Sequence, residues 1–179
     1  MKDKLMNKAV SLWQEYGYEN ISINRICKEC GVTKGSFYHH FSSKEELLDQ
    51  YIEKQINEVR FDKKLYDCDS FIEGIYNVLM AITEPMTKLK SSLMKVQFYD
   101  KLYSPHSDIF KNTEYYRICL DLCIKGQKAG QIRDTFSAEH LLETAIIFLN
   151  GNYRDWLLKD GDFDLFEEDR KALEIILKK

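Results

Sequence analysis

The chain has 179 residues, with 26 Lys and Arg against 29 Asp and Glu and a formal net charge of −3. Hydrophobic residues make up 44% and charged residues 31%, the balance of a soluble globular protein, which excludes wholesale disorder. No stretch reaches the roughly 20 apolar residues needed to span a bilayer. The segment Met1 to Lys8 lacks the apolar stretch of a secretory signal, and the 5 cysteines are an odd number. Together these predict free thiols in a reducing, cytoplasmic setting with no membrane partner.

Only Pro85 and Pro105 interrupt the chain. Helical periodicity recurs and sustained strand alternation does not, so the fold class is all-α; Ile21 to Ile26 alternates but is too short to weigh against it. Leu5, Ala9, Leu12, Trp13 and Tyr16 form one apolar stripe on a first helix stopped by Gly17. Ser22 caps a short second helix to about Cys30, with Ile23, Ile26 and Cys27 inward. Gly31 ends it, Val32 plugs the angle, and Thr33 caps a third helix from Lys34 to about Phe41. Ser43 and Glu46 fit a capping box that opens a fourth helix to about Phe61, burying Leu48, Ile52, Ile56 and Val59.

Asp62 to Asp69 is polar and reads as a linker. A stripe of Phe71, Ile72, Ile75, Tyr76, Leu79 and Ile82 ends near Pro85. Leu89, Leu93, Val96 and Leu102 give another helix, broken before Pro105. Tyr115 to Ala129 is helical, with Gly130 after it. Ser137 caps a long helix to about Leu158 with two apolar faces: Leu141, Ala145, Phe148 and Trp156, then Leu142, Ile146, Tyr153 and Leu157. Such a helix must be covered on more than one side. Leu173, Ile176 and Leu177 stripe a last helix.

Two short helices joined by a tight glycine-containing turn form a helix-turn-helix. Residues 22–44 hold Arg25, Lys28, Lys34 and Lys44 against Glu29 alone, with His39 and His40 beside them. This basic patch in an acidic chain suits a polyanion. Phe37 and Phe41, four apart, anchor the third helix inward and turn Lys34, Ser36, Tyr38, His39 and His40 outward or to the flanks. Gly35 lets the backbone approach another surface closely. Hydroxyls and His suit base edges in the major groove, Lys and Tyr suit phosphates, and Lys44 sits at a helix start that favours an anion. The two histidines predict pH-sensitive DNA binding, since imidazolium favours phosphate.

Over residues 5–51 the sequence resembles the DNA-binding domain of the TetR (tetracycline-repressor) family of bacterial transcriptional regulators. Ala9, Leu12, Gly17, Tyr18, Ile21, Ile23, Ile26, Gly31, Val32, Gly35, Tyr38, His39, His40, Phe41, Lys44, Glu45 and Leu47 carry the likeness. Beyond them it is one of outline only: length, helical content, and a long late helix preceded by Gly130-Gln131-Ile132-Arg133. The resemblance implies a helix-turn-helix domain over 1–48 and a helical ligand-binding and dimerisation domain over 49–179. It implies a homodimer paired through the last two helices, a pseudo-palindromic double-stranded DNA operator, and repression released by a small-molecule effector. Carried over by position, the DNA-binding residues are Thr33, Lys34, Gly35, Ser36, Tyr38, His39, His40 and Lys44, with Tyr38 and Lys44 on phosphate. Tyr76, Met80, Phe98, Tyr99, Tyr116 and Phe148 are the candidate pocket residues.

The cysteines support two alternatives. Cys27 and Cys30 have the spacing of a redox or zinc half-site, but zinc needs about four ligands and no second pair lies at suitable spacing. They also fit small buried positions, and a redox enzyme would set them in strand–turn–helix rather than helix-turn-helix. Cys119 and Cys123, i and i+4, read as core packing or as a thiol sensor in the effector region. No catalytic constellation, cofactor motif or metal site appears, and His106 and His140 are isolated. An architectural DNA-coating role is disfavoured by the acidic surplus beyond residue 48.

Overall fold

A computed structural model of the chain describes residues 1–102 and 109–179; of residues 99–102, 109 and 110 it describes the backbone alone. The expected side chain of Tyr99, the side chain of Leu102, and Pro105 and His106 lie outside the described residues. The described helices are α1 (Lys2–Tyr16), α2 (Ile23–Cys30), α3 (Lys34–Tyr38), α4 (Lys44–Asn57), α5 (Lys63–Tyr66), α6 (Phe71–Thr87), α7 (Ser91–Leu102), α8 (Glu114–Lys128), α9 (Ala138–Leu158) and α10 (Leu165–Leu177), with a 3-10 turn at Ile109–Asn112 before α8. Two compact units emerge: Met1–Glu58 with Pro85–Ser104, and Val59–Glu84 with Pro105–Lys179.

In the first unit the α1 stripe is buried as its spacing predicts, through Leu5, Ala9, Leu12 and Trp13. Tyr16 departs from it: the ring is 42% exposed and the Arg25 guanidinium stacks on it at 4.3 Å. The alternating Ile21 to Ile26 enters a helix, because Ser22 Oγ accepts the N–H of Arg25 and closes the first turn. Gly31 ends α2 at φ 67°. Its N–H donates to the Lys28 carbonyl and that of Val32 to Cys27, a left-handed termination in which a side chain would be strained.

The third helix is shorter than expected. It ends at Tyr38, and the chain turns through His39 and His40 while the Phe41 N–H still reaches the Phe37 carbonyl at 3.0 Å. The fourth stops at Asn57 rather than near Phe61, since the stripe is buried only through Leu47, Leu48 and Ile52. Ser43 Oγ accepts from Glu46 N as the capping box requires, but the Glu46 carboxylate turns back to Ser42, accepting from its N–H and hydroxyl.

In the second unit the expected linker contains the short α5. Helix α6 runs through Pro85 and ends two residues later, because the missing N–H and the ring bulk fall in its final turn. The core joins Ile72, Ile75, Val78 and Leu79 of α6, Cys119, Leu122 and Cys123 of α8, Leu142 and Ala145 of α9, and Leu173 and Leu177 of α10. The loop Gly130-Gln131-Ile132-Arg133 ties this unit together. Gln131 Oε1 accepts the Phe71 N–H at 3.0 Å and its Nε2 donates to the Asp69 carbonyl at 3.2 Å. Ile132 is fully buried. Arg133 donates from its main chain to the Leu177 carbonyl and from its guanidinium to those of Ile175 and Lys178. One loop therefore caps the start of α6 and the end of α10.

Candidate nucleic-acid interface

Helix α3 is divided between a packed side and an open one. Phe37 and Phe41 are buried, with ring centroids 5.6 Å apart, so the helix is held from within. Thr33, Lys34, Gly35, Tyr38 and His39 are exposed, and Ser36 and His40 are half-buried. Thr33 Oγ1 accepts the Ser36 N–H at 3.2 Å, which fixes the helix start. Tyr38 is 54% exposed, and its ring stands edge-on to Phe37. His39 and His40 lie ring to ring, with centroids 5.0 Å apart.

A methyl at Gly35 would meet only Thr33 Oγ1, at 3.7 Å. Nothing among the described residues crowds that position, so its backbone lies open to an approaching surface. The exposed and half-buried set combines a cation, hydroxyls, imidazoles and a bare backbone. That set can donate to phosphate and both donate to and accept from base edges.

Residues 5–51 match the family described as "Bacterial regulatory proteins, tetR family". Through this region the chain is similar to TetR-family regulators. The biofilm-operon negative transcriptional regulator IcaR of Staphylococcus epidermidis is 32% identical over 80 residues, covering 44% of this chain and 43% of that protein. The A-factor receptor protein of Streptomyces griseus is 33% identical over 70 residues, 39% of this chain and 25% of that protein. The chain thus spans less than half the length of these curated relatives. Among solved structures, the TetR-family repressor FadR of Thermus thermophilus, in complex with lauroyl-CoA, aligns over 98% of this chain and 93% of its own at 20% identity, with a TM-score of 0.68. At that identity the likeness is one of fold.

Within the matched region, the Lys44 side chain bonds to its own unit. Its ammonium is turned inward onto the carbonyls of Tyr18 and Ile21. Tyr18 and Glu45, which belong to the family pattern but carry no role in the sequence, bond to each other at 2.7 Å. Burial raises the Glu45 pKa, but the Tyr18 hydroxyl, a main-chain N–H and Ser43 outweigh it and hold the carboxyl below its usual range.

The expected pocket residues are not gathered into one place. Tyr76, Met80 and Tyr116 belong to the core of the second unit. Tyr76 donates to the Phe166 carbonyl at 3.3 Å and carries the Arg170 guanidinium on its ring, while Arg170 also pairs with Glu73. The Tyr116 hydroxyl reaches Glu143 at 3.4 Å. Tyr76 borders a cleft of about 370 Å³ with Cys68, Glu73, Arg170 and Glu174. Met80 borders another of about 410 Å³ with Leu65, Asn77 and Phe166. Phe98 is half-buried in the first unit. Phe148 is the correction: it is 51% exposed, because it falls on an α9 flank that no element among the described residues of its unit covers.

The thiols are disposed for packing. Cys27, Cys30, Cys119 and Cys123 are buried and Cys68 is exposed. Burial pushes Cys27 and Cys30 up, Cys119 well up, and Cys123 to about 11. The thiolate that oxidants attack is disfavoured at all four buried positions. Among the described residues, no group of three or more His, Cys, Asp or Glu is placed to hold a metal.

Proposed function

We propose that this chain is a sequence-specific DNA-binding transcriptional repressor that acts as a homodimer and is released from its operator by a small molecule. The division of α3 carries the reading: Phe37 and Phe41 fix the helix from within, and Thr33, Lys34, Gly35, Ser36, Tyr38, His39 and His40 are left to DNA. Residues 1–48 form the DNA-binding domain, and 49–179 serve effector binding and dimerisation. The named function of IcaR and the bound lauroyl-CoA of FadR support repression and a small-molecule effector. Tyr76, Met80 and Tyr116 are the residues from which an effector site would be built.

The homodimer is supported by an apolar face. Ile147 is 70% exposed, Leu158 45% and Ile175 of α10 73%. Ile147, Gly151 and Leu158 recur along one side of α9, and Phe148 lies next to them. A second copy would cover this face and set two α3 helices about one DNA turn apart. The effector would act by binding better to the conformation that no longer matches successive grooves, weakening operator binding by that preference and no more. No described helix is long and apolar enough to cross a membrane. The place of action proposed for such a regulator is the cytoplasm, where its operator lies.

The test is selection of sheared genomic DNA by the purified chain at physiological salt with nonspecific competitor. Enrichment of a pseudo-palindrome with half-sites about one turn apart is expected. An unenriched pool from protein shown by native mass spectrometry to hold no small molecule would refute it.

A further inference from the structure

Helices α6 and α10 of the second unit run antiparallel, bridged by side chains. Glu73 pairs with Arg170, the Tyr76 ring carries the same guanidinium, and the Tyr76 hydroxyl donates to the Phe166 carbonyl at 3.3 Å. Rising numbers on α6 therefore meet falling numbers on α10, and the two clefts described above follow that order. The first, of about 370 Å³, lies between Ile72, Glu73 and Tyr76 of α6 and Arg170 and Glu174 of α10. The second, of about 410 Å³, lies between Asn77, Met80, Ala81 and Glu84 of α6 and Phe166 of α10. They are consecutive stretches of one groove, which follows α6 for roughly 18 Å at about 1.5 Å per residue. The bond from Tyr76 to Phe166 marks the divide.

The outer wall is α5 and the turn after it. Asn77 Nδ2 donates to the Leu65 carbonyl at 3.1 Å and to Cys68 Sγ at 3.5 Å. Gly74 lets the main chain of α5 come close, since a Cβ there would stand 2.8 Å from the Tyr66 carbonyl oxygen. Leu65 borders the second stretch, and Cys68, Asp69 and Ser70 border the first. The wall is thus fastened to α6 by side-chain bonds and a close main-chain contact.

The two stretches differ in chemistry. Leu65, Met80, Ala81 and Phe166 make the second largely apolar. In the first, Asp69, Glu73 and Glu174 stand against Arg170 and the Lys178 ammonium that pairs with Glu174. Glu84 in the second adds a further carboxylate. Negative charge is in surplus along the groove, which favours a cation and opposes an anion. Each stretch has the volume of a small-molecule site. We propose that this groove is the effector site, and that it takes an elongated molecule with an apolar body along Leu65, Met80 and Phe166 and one cationic end among the carboxylates of the first stretch. Its role as effector site rests on the regulator reading above; its binding chemistry does not.

The test compares one apolar chain with three end groups. Binding of octylamine, octanol and octanoate to the full chain is measured by equilibrium dialysis at neutral pH. Wild type is expected to bind octylamine about tenfold more tightly than octanoate, with octanol between them. Ala81→Trp, which fills the apolar stretch from a half-buried position, is expected to lose octylamine and octanol alike. Asp69→Asn, which leaves the main-chain bond to Gln131 in place, is expected to weaken octylamine about threefold and to leave octanol unchanged. It carries the test if Ala81→Trp does not fold. No binding of octylamine, octanoate binding as tightly as octylamine, or octylamine binding that neither folded variant changes would each overturn the proposal. Octylamine is then added to the chain on its selected duplex, where it is expected to release wild type more readily than Asp69→Asn. Binding in the groove without release would overturn its role as the effector site. A chain that selects no duplex would instead overturn the DNA-binding reading, and the dialysis result would stand apart from it.

Discussion

Helices α3 and α9 solve opposite problems. Helix α3 is five residues long and buries Phe37 while Lys34, Tyr38 and His39 stand in solvent. Helix α9 is 21 residues long, buries Leu141, Leu142, Ala145 and Leu149, and still leaves Ile147 and Phe148 outside. Exposed polar groups need no explanation in water, and exposed large apolar groups do. The short helix is complete as it stands and offers chemistry for a charged, hydrogen-bonding partner. The long one is incomplete and asks for an apolar one.

The largest expected effect tests that incompleteness. Ile147→Asp with Ile175→Asp changes nothing that the isolated chain buries, so its monomer should be as stable as wild type to within about 0.5 kcal/mol. At a dimer interface the same carboxylates would be buried without partners, at a cost of several kcal/mol. Sedimentation velocity should show dimer replaced by monomer, with operator binding weakened about a hundredfold. A double variant that remains dimeric would place the interface elsewhere and break the contrast between the two helices.

A second effect separates the units by pH. Asp169 on α10 is 2% exposed and accepts from Asn152 Nδ2 of α9 at 2.8 Å. Burial pushes its carboxyl up to about 6, against the Asn152 bond that works to lower it. A folded-state pKa above the unfolded one means that the native state binds the proton more tightly. Stability should therefore fall as pH rises from about 4 to about 6, by up to about 3 kcal/mol. Asp169→Asn, which keeps an acceptor for Asn152, should remove that fall. Denaturant melts at pH 4 and pH 7 measure it; an undiminished pH dependence in the variant would assign it to other groups.

The smallest effect lies in α3. Thr33→Ala removes the cap bond to Ser36 N and should cost about 1 kcal/mol of stability, with weaker DNA binding, while the oligomeric state stays as it was. Thermal melts and sedimentation on the same sample check both halves.

The first unit is legible in the sequence because its signals are local. Caps at Ser22, Thr33 and Ser43 and the glycine at 31 each act within a few residues, and each is found in place. Periodicity extends α3 too far because its bonding tightens after Tyr38, which spacing does not encode. The inward turn of Lys44 is hidden for a related reason: its acceptors are main-chain carbonyls more than twenty residues away, and carbonyls leave no mark in a sequence. In the second unit the stripes reveal the helices but not their mates. The spacing of Phe148 matches Leu141 and Ala145 and so points it inward, yet no element among the described residues lies over that flank. The four residues Gly130 to Arg133 are visible as a pattern, but their partners at 69–71 and 175–178 are not.

That loop has a consequence for how the second unit comes apart. The beginning of α6 and the end of α10 are about a hundred residues distant in sequence, yet Gln131 supports one and Arg133 the other. Neither helix end can fray alone without loosening the shared support. The two should open and close as a single cooperative step, so that amide exchange near Phe71 and near Leu177 keeps the same clock.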